Sequence, residues 1–439
     1  MARSFDVIVI GAGVNGVWSA LDLALRGLRV AVIDKGSLAS ETSGKFHGLL
    51  HSGARYVVRD PAAAVESWHE NQVLSRIASH AIEDTGGYFV AVTKSDEEYY
   101  DEFTKGLRKA GIPYHDVDVS EALKEEPELS KEIRRVVEVP DKVVYARDLM
   151  ASVALAAYRE GALLLEYMEA VEIKEDGDEL RVRVHDKLKD STLEFRARAV
   201  VNAAGPWAGE VARRAGVEDV DVLLTAGTII VYNQRLTRRV INRMRPPSDG
   251  DILVPYGSVS LMGTTAFIVE NPDELQVSEE DVEFLVKEGS VMVPRLARLP
   301  VKRAYVSIRP LIRVASREGS GNVGREATRS FRIVAHERPK GFFTIIGGKF
   351  VTGRLVGEKT GNIVAEYLGT SKKSSTNNIR LLETGDPYEE LRVLTGANEL
   401  VVKNIMSLKN GMDEERGRMA AYMFIQGFIA AESRKAIGA

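Results

Sequence analysis

The stretch Phe5-Asp6-Val7-Ile8-Val9-Ile10-Gly11-Ala12-Gly13-Val14-Asn15-Gly16 decides the fold. Its first half is a β-branched run, and its second is a glycine turn with Gly11-x-Gly13-x-x-Gly16 spacing. Helical spacing follows (Val17, Leu21, Ala24, Leu25) and stops at Gly27; Leu28–Ile33 then reads as a second buried strand closed by Asp34. In this strand–helix–strand context each glycine has a mechanical reading. Gly11 permits the tight turn, Gly13 lets the backbone approach a pyrophosphate, and Gly16 lets the helix pack closely. The helix N-terminus turns its N–H groups and dipole toward the phosphates. Asp34, 18 residues past Gly16, is placed to accept ribose hydroxyls, with Lys35 beside it. FAD and NAD share this fingerprint, so it does not choose between them.

Two distant segments narrow the choice. Val200–Asn202 ends a buried strand in the small residues Ala203, Ala204 and Gly205, followed by Pro206 and Trp207. Gly347-Gly348-Lys349, with Phe350 and Thr352, is another glycine turn feeding a helix. Two remote small-residue segments returning to one site resemble the flavoprotein pattern, in which a long FAD is buried deeply.

Composition excludes several alternatives. The 439 residues suffice for about three domains of about 150 residues, or two large ones. The 59 basic and 63 acidic side chains leave a net charge of -4, without the basic stripe of a nucleic-acid binder. There is no cysteine, so no disulfide, thiolate nucleophile or cysteine-ligated cluster can form on this chain. The 7 histidines include no HExxH or His-x-His cluster, and no metal site is expected. No run approaches the roughly 20 apolar residues of a membrane span. Met1–Ile10 reads as a strand rather than a signal sequence, so a cytoplasmic chain is expected.

Along the chain, residues 36–59 read as a long loop and Pro61–Ile82 as a helix. Amphipathic helices are expected at 96–110 and 120–135, and a further helix at Arg147–Gly161. Leu180–His185 and Thr192–Ala197 form a hairpin. Several strands lie between Val222 and Val269, with a turn at Pro255-Tyr256-Gly257. A helix over 278–292 precedes strands near 301–309, 331–336 and 342–346, then a core helix over 352–368. Residues 369–378 are a polar linker by composition, and 379–439 a small appended helical segment. The expected fold is α/β: a Rossmann-like FAD-binding domain (1–80, 140–215, 335–368) with an inserted antiparallel β-sheet substrate domain (81–139, 216–334).

Further motifs carry a family resemblance. His47-Gly48-Leu49-Leu50-His51-Ser52-Gly53-Ala54-Arg55-Tyr56 resembles the flavin loop of FAD-dependent glycerol-3-phosphate dehydrogenases, and most of all the catalytic A subunit of the anaerobic, membrane-associated type. Arg245-Pro246-Pro247-Ser248-Asp249-Gly250-Asp251-Ile252-Leu253-Val254-Pro255, Gly263-Thr264-Thr265, Ile308-Arg309-Pro310-Leu311 and Gly347-Gly348-Lys349 resemble it too. The resemblance spans about residues 5–368, within the D-amino-acid-oxidase-like flavoprotein superfamily. Three departures stand out. Thr352-Gly353-Arg354 lacks the family's tyrosine, Ala266 follows the Gly-Thr-Thr, and the region where the family carries a C-terminal cysteine-rich module is short and cysteine-free here.

The resemblance implies oxidation of sn-glycerol 3-phosphate to dihydroxyacetone phosphate, with hydride transfer to flavin N5. Electrons then pass to a quinone, a membrane-anchor or an electron-relay subunit, placing the chain at the cytoplasmic face of the membrane. Arg55, Arg309 and Lys349 become the expected phosphate cations, since arginine forks bind phosphate bidentately. Thr264, Thr265 and Tyr56 are further expected substrate contacts, and His51 is the expected base, histidine having an ordinary pKa of about 6.5. Thr42, Ser43, Gly44, His47, Gly48 and Leu49 are expected along the cofactor. Paired arginines suit a carboxylate as well, leaving a 2-hydroxy-acid dehydrogenase or oxidase as an alternative; a non-catalytic flavin-binding protein with a role in assembly is another. Met419–Ala431 reads as a helix packed on the body or as a docking helix for a membrane-bound partner; homo-oligomerisation is left open.

Overall fold

The computed structural model describes residues 3–313, 330–394 and 414–439. Arg3–Ile10 forms the central strand, Val14–Leu25 the helix after the glycine turn, and Val30–Ile33 the second strand. The first sheet runs in the order Met168–Asp176, Glu179–Asp186, Ser191–Asn202, Arg3–Ile10, Val30–Ile33, Leu163–Leu165. Arg3–Ile10 lies parallel to both neighbours, with Ile10 opposite Asn202 on one side and Ile33 on the other. The carboxyl ends of these strands therefore share one edge, where open α/β sheets bind ligands.

The hairpin strand and the strand ending at Asn202 are one element, Ser191–Asn202. Its first half pairs antiparallel with Glu179–Asp186, and Val200–Asn202 pairs parallel with Phe342–Thr344. This change of partner joins the last strand to the dinucleotide sheet. The Val14–Leu25 helix is buried along most of its length because the Gly353–Leu368 helix lies directly on it. A Cβ on Gly357 would lie 2.6 Å from the Trp18 carbonyl carbon, so only glycine allows that approach.

The second sheet is mostly antiparallel and centres on Val222–Tyr232, which pairs with Val259–Gly263, Phe267–Ile268 and Arg303–Ile312. Ile252–Tyr256, Val240–Arg243, Gly87–Ala91, Arg135–Val139 and His115–Val117 extend it outward.

Several expectations are corrected. The helix expected over 120–135 is confined to Val119–Glu125, and Arg135–Val139 is a strand. Pro127 explains the stop, because the residue before a proline is driven out of the helical region; Glu126 has φ -122° and ψ 79°. The helix from Pro61 ends at Ile77, and Ile82–Glu83 joins a small ladder with Lys142–Val144. Residues 36–59 contain the short helix Thr42–Lys45 and the strand Leu49–Leu50, the latter pairing with Lys142–Val143. The polar 369–378 segment is fastened down: Ser374 Oγ donates to the buried Asp22, the Lys372 carbonyl accepts from Arg26, and Arg354 donates to Thr376.

Of the appended segment, Pro387–Leu394 and Glu414–Ala436 are helices, and residues 395–413 lie outside the described residues. Ala421, Tyr422, Ile425 and Ile429 of the long helix are buried in the core beside the Ala146–Arg159 helix. Met419, Met423 and Phe424 stay exposed.

Candidate active site

A cavity of about 640 Å³ opens at the carboxyl edge of the first sheet, within the usual range for small-molecule sites. Gly11, Gly13 and Asn15 form its floor at the start of the Val14–Leu25 helix. Two glycines of this turn admit no side chain. A Cβ on Gly11, which has φ +112°, would lie 2.5 Å from the Ala203 carbonyl oxygen; one on Gly16 would lie 1.9 Å from that of Gly11. Gly16 sits beneath the wall, as a helix-packing glycine should. Ala203, Ala204, Gly205 and Trp207 close one side, and Gly347, Gly348, Lys349 and Phe350 another.

Asp34 lies on the wall with both oxygens engaged: Ala12 N–H donates to Oδ2 at 2.6 Å and Gly36 N–H to Oδ1 at 2.7 Å. Burial pushes its pKa up, and these two amide donors oppose the shift. Ser43 Oγ accepts the first N–H of the helix, from Val14, at 2.9 Å. Asn15 Nδ2 donates to the Gly347 carbonyl, so its Oδ1 faces away; that oxygen is buried with no partner among the described residues. A turn whose Gly11 tolerates no Cβ and an unsatisfied acceptor beside it fit a bound dinucleotide. At the rim, Lys35 Nζ lies 3.9 Å from the Trp207 ring centroid, and Trp207 Nε1 donates to Asp273.

The loop between the two sheets supplies Thr42, Ser43, Phe46, His47, Leu49, His51 and Tyr56 to the wall. Thr42 Oγ1 donates to the Ile308 carbonyl of the substrate sheet at 2.9 Å. Leu49 N–H donates to His47 Nδ1, leaving Nε2 to carry the proton of the neutral ring. Phe46 stacks on Phe350 at 4.5 Å between centroids. Gly48 is required where the loop passes Tyr256, whose ring a Cβ would meet at 2.4 Å. Gly44 and Thr352 lie behind the wall; Thr352 Oγ1 caps the Lys349 turn through its amide and carbonyl. Ser52 anchors the loop, its N–H and hydroxyl both donating to the buried Asp141 at 2.7 Å.

At the substrate-sheet end, Arg309, Lys349, Tyr56 and His51 converge on the cavity. Arg309 Nη2 donates to the carbonyls of Ala226 (3.0 Å) and Thr265 (2.9 Å), and Nη1 to Thr264 Oγ1 at 3.2 Å. The fork is thus oriented by its own sheet. Lys349 Nζ lies 5.6 Å from the Tyr56 ring centroid, and the His51 ring meets Tyr56 edge-on at 5.1 Å.

Three candidates stand behind this wall. Arg55 is ion-paired with the fully buried Asp251 at 2.8 Å, where Arg245 also binds; its Nη1 is buried with no partner among the described residues. Thr264 supports Arg309. Thr265 Oγ1 accepts from Thr228 N–H and donates to Asp281.

Sequence reasoning misses Asn15, Phe46, Asp141 and Asp251. Asn15 lies inside the quoted fingerprint, but no rule assigns that position a role. Asp141 gives no signal, since Ser52 and Asn242 lie far away in sequence, and the pairing of Asp251 with Arg55 spans 196 residues.

A model of a family described as FAD dependent oxidoreductase matches residues 6–358. The A subunit of anaerobic glycerol-3-phosphate dehydrogenase from Escherichia coli (strain K12) is 37% identical over 394 residues, covering 88% of this chain and 72% of that protein. Among solved structures, the glycerol-3-phosphate dehydrogenase from Bacillus halodurans complexed with FAD superposes with a TM-score of 0.68 at 21% identity, over 99% of this chain and 80% of that one. Glycine oxidase from Geobacillus kaustophilus also gives 0.68, at 22% identity, over 85% and 96%. These two likenesses show the fold alone.

Proposed function

The chain belongs to the FAD dependent oxidoreductase family, and from that premise we propose that it oxidises sn-glycerol 3-phosphate to dihydroxyacetone phosphate. The observation that carries the reading is the meeting of Arg309, Lys349, Tyr56 and His51 at one end of a cavity whose other end is a dinucleotide cradle. FAD, when bound, supplies the acceptor for the hydride of the C2–H bond.

The protein's own residues do the rest. The cradle of Gly11, Gly13 and Asn15 holds the pyrophosphate, and Asp34 the ribose. Arg309 and Lys349 bind the substrate phosphate; a guanidinium already held by two carbonyls loses little freedom on binding. His51 takes the C2 hydroxyl proton at a ring nitrogen, with the edge of Tyr56 fixing the ring's tilt. Arg55 acts behind the wall, its pair with Asp251 setting the course of the loop.

Electrons leave to a separate partner chain or a quinone. This reading is supported by the Escherichia coli relative, whose name makes it one subunit of a larger enzyme, and by the absence of any cysteine here to ligate a cluster. No helix among the described residues is long and apolar enough to cross a membrane. Membrane association would be peripheral, at the cytoplasmic face, through the exposed Met419, Met423 and Phe424.

The direct test is anaerobic bleaching of the FAD-loaded chain by glycerol 3-phosphate, compared with 2-hydroxyglutarate and glycerol. Bleaching by the phosphate ester alone is expected. Bleaching only by the hydroxy acid would replace the substrate class, and none at all would remove the activity.

A further inference from the structure

We propose that Gln426, on the C-terminal helix, is a positioning residue for FAD: acting through Glu166, it holds the loop after Asp34 in the shape the ribose end of the cofactor requires. The inference rests on the FAD reading above and adds an element that lies outside the matched family region.

Glu166 follows the edge strand Leu163–Leu165 of the first sheet and is 7% exposed. One oxygen, Oε1, accepts two hydrogen bonds: Leu38 N–H at 2.7 Å and Gln426 Nε2 at 2.6 Å. Leu38 belongs to the turn that leaves the cavity wall. Within it Gly36 N–H binds Asp34, Ala39 N–H binds the Ala12 carbonyl of the glycine turn, and Tyr167 N–H binds the Gly36 carbonyl. Asp34, Gly36, Ala39 and Ser40 all line the cavity. Whatever fixes Leu38 therefore fixes the ribose wall.

A carboxylate buried this deeply stays charged only if enough donors face it. Burial and the nearby Asp34 both push the Glu166 pKa up, and the Leu38 amide and the Gln426 amide oppose them. Gln426 supplies its donor from 260 residues away, and its helix is held in register at the same edge. Ser433 Oγ accepts from Leu164 N–H at 2.9 Å, and Arg434 binds both the Glu166 carbonyl and the buried Asp186. Without the Gln426 amide, one backbone N–H alone would face a buried charge. The carboxyl would then take up a proton or turn away, releasing Leu38.

The test is the FAD dissociation constant of the full-length apoprotein, followed by flavin fluorescence, alongside its Tm without FAD. Gln426→Met keeps the length and removes the donor. It is expected to raise the Kd about tenfold, the cost of a hydrogen bond to a charged group, with little change in apoprotein Tm. Gln426→Glu sets a second carboxylate against Glu166, so its FAD affinity is expected to recover as pH falls and the pair shares a proton, a titration that a purely structural role would not produce.

The double variant Glu166→Gln/Gln426→Glu re-forms the contact with donor and acceptor exchanged, the new amide oxygen still accepting from Leu38. Its Kd is expected within about twofold of wild type. An unchanged Kd in Gln426→Met overturns the proposal, and so does a double variant no better than Gln426→Glu. Should Gln426→Met fail to fold, the exchanged pair decides. A wild-type chain that binds no FAD overturns the cofactor reading and this inference with it.

Discussion

Arg309 carries its guanidinium on a strand, and the carbonyls of Ala226 and Thr265 fix the plane of its fork. Replacing it removes a charge that a dianionic phosphate would use, while the dinucleotide cradle is left untouched. Arg309→Ala is expected to lower kcat/KM for glycerol 3-phosphate by about 100-fold or more, mainly through KM, with FAD content unchanged. Steady-state kinetics with an artificial acceptor, read beside visible flavin absorbance, checks this. Flavin lost along with the arginine would move its role to the cofactor. Arg309 is legible in the sequence because it interrupts an apolar strand. The standing of Arg55 is not, since its partner Asp251 is 196 residues away and becomes a neighbour only when the sheets assemble.

At the scale of elements, the seam between the C-terminal helix and the Ala146–Arg159 helix buries two titratable groups with opposite tendencies. Asp148 is pushed up to about 7 by burial, against the nearby Arg418 and helped by Glu415. His80, whose Nε2 meets Ser152 Oγ at 2.8 Å, is pushed down to about 4, again by burial. A carboxyl raised in the fold contributes stability below its ordinary 3.8 and loses it as pH climbs to about 7. An imidazole lowered in the fold contributes above its ordinary 6.5 and loses that as pH falls to about 4.

Between those values the two slopes oppose each other, each at about 1.4 kcal/mol per pH unit at full effect. Asp148→Asn is therefore expected to give a Tm that rises with pH across this window, and His80→Asn one that falls. Parallel profiles in the two variants would refute the assignment. Elements with strong period or punctuation, such as Val14–Leu25 and Glu279–Met292, are readable in advance. The helix expected to reach 135 is not, because the charged, helix-like pattern of 120–135 masks the stop at Pro127.

For the whole molecule, the long C-terminal helix buries one face on the body and leaves Met423 and Phe424 59% and 50% exposed. Charged residues at these positions leave the core intact but oppose burial against a partner or a lipid surface. Met423→Lys/Phe424→Glu is expected to reduce co-fractionation with membranes severalfold while glycerol 3-phosphate still bleaches the flavin. Unchanged partition would exclude this face as the contact.

The sequence by itself determined the strand–glycine turn–helix unit, the acid that closes it and the absence of any thiol chemistry. These are local facts: spacing, φ requirements and residue identity act within a few positions. The tertiary structure decided which cations reach the cavity, which buried carboxylate anchors each loop, and that a C-terminal amide braces the cofactor wall. A hydrogen bond or buried ion pair between residues hundreds of positions apart leaves no mark on local composition, because its energy exists only once water has been excluded between them.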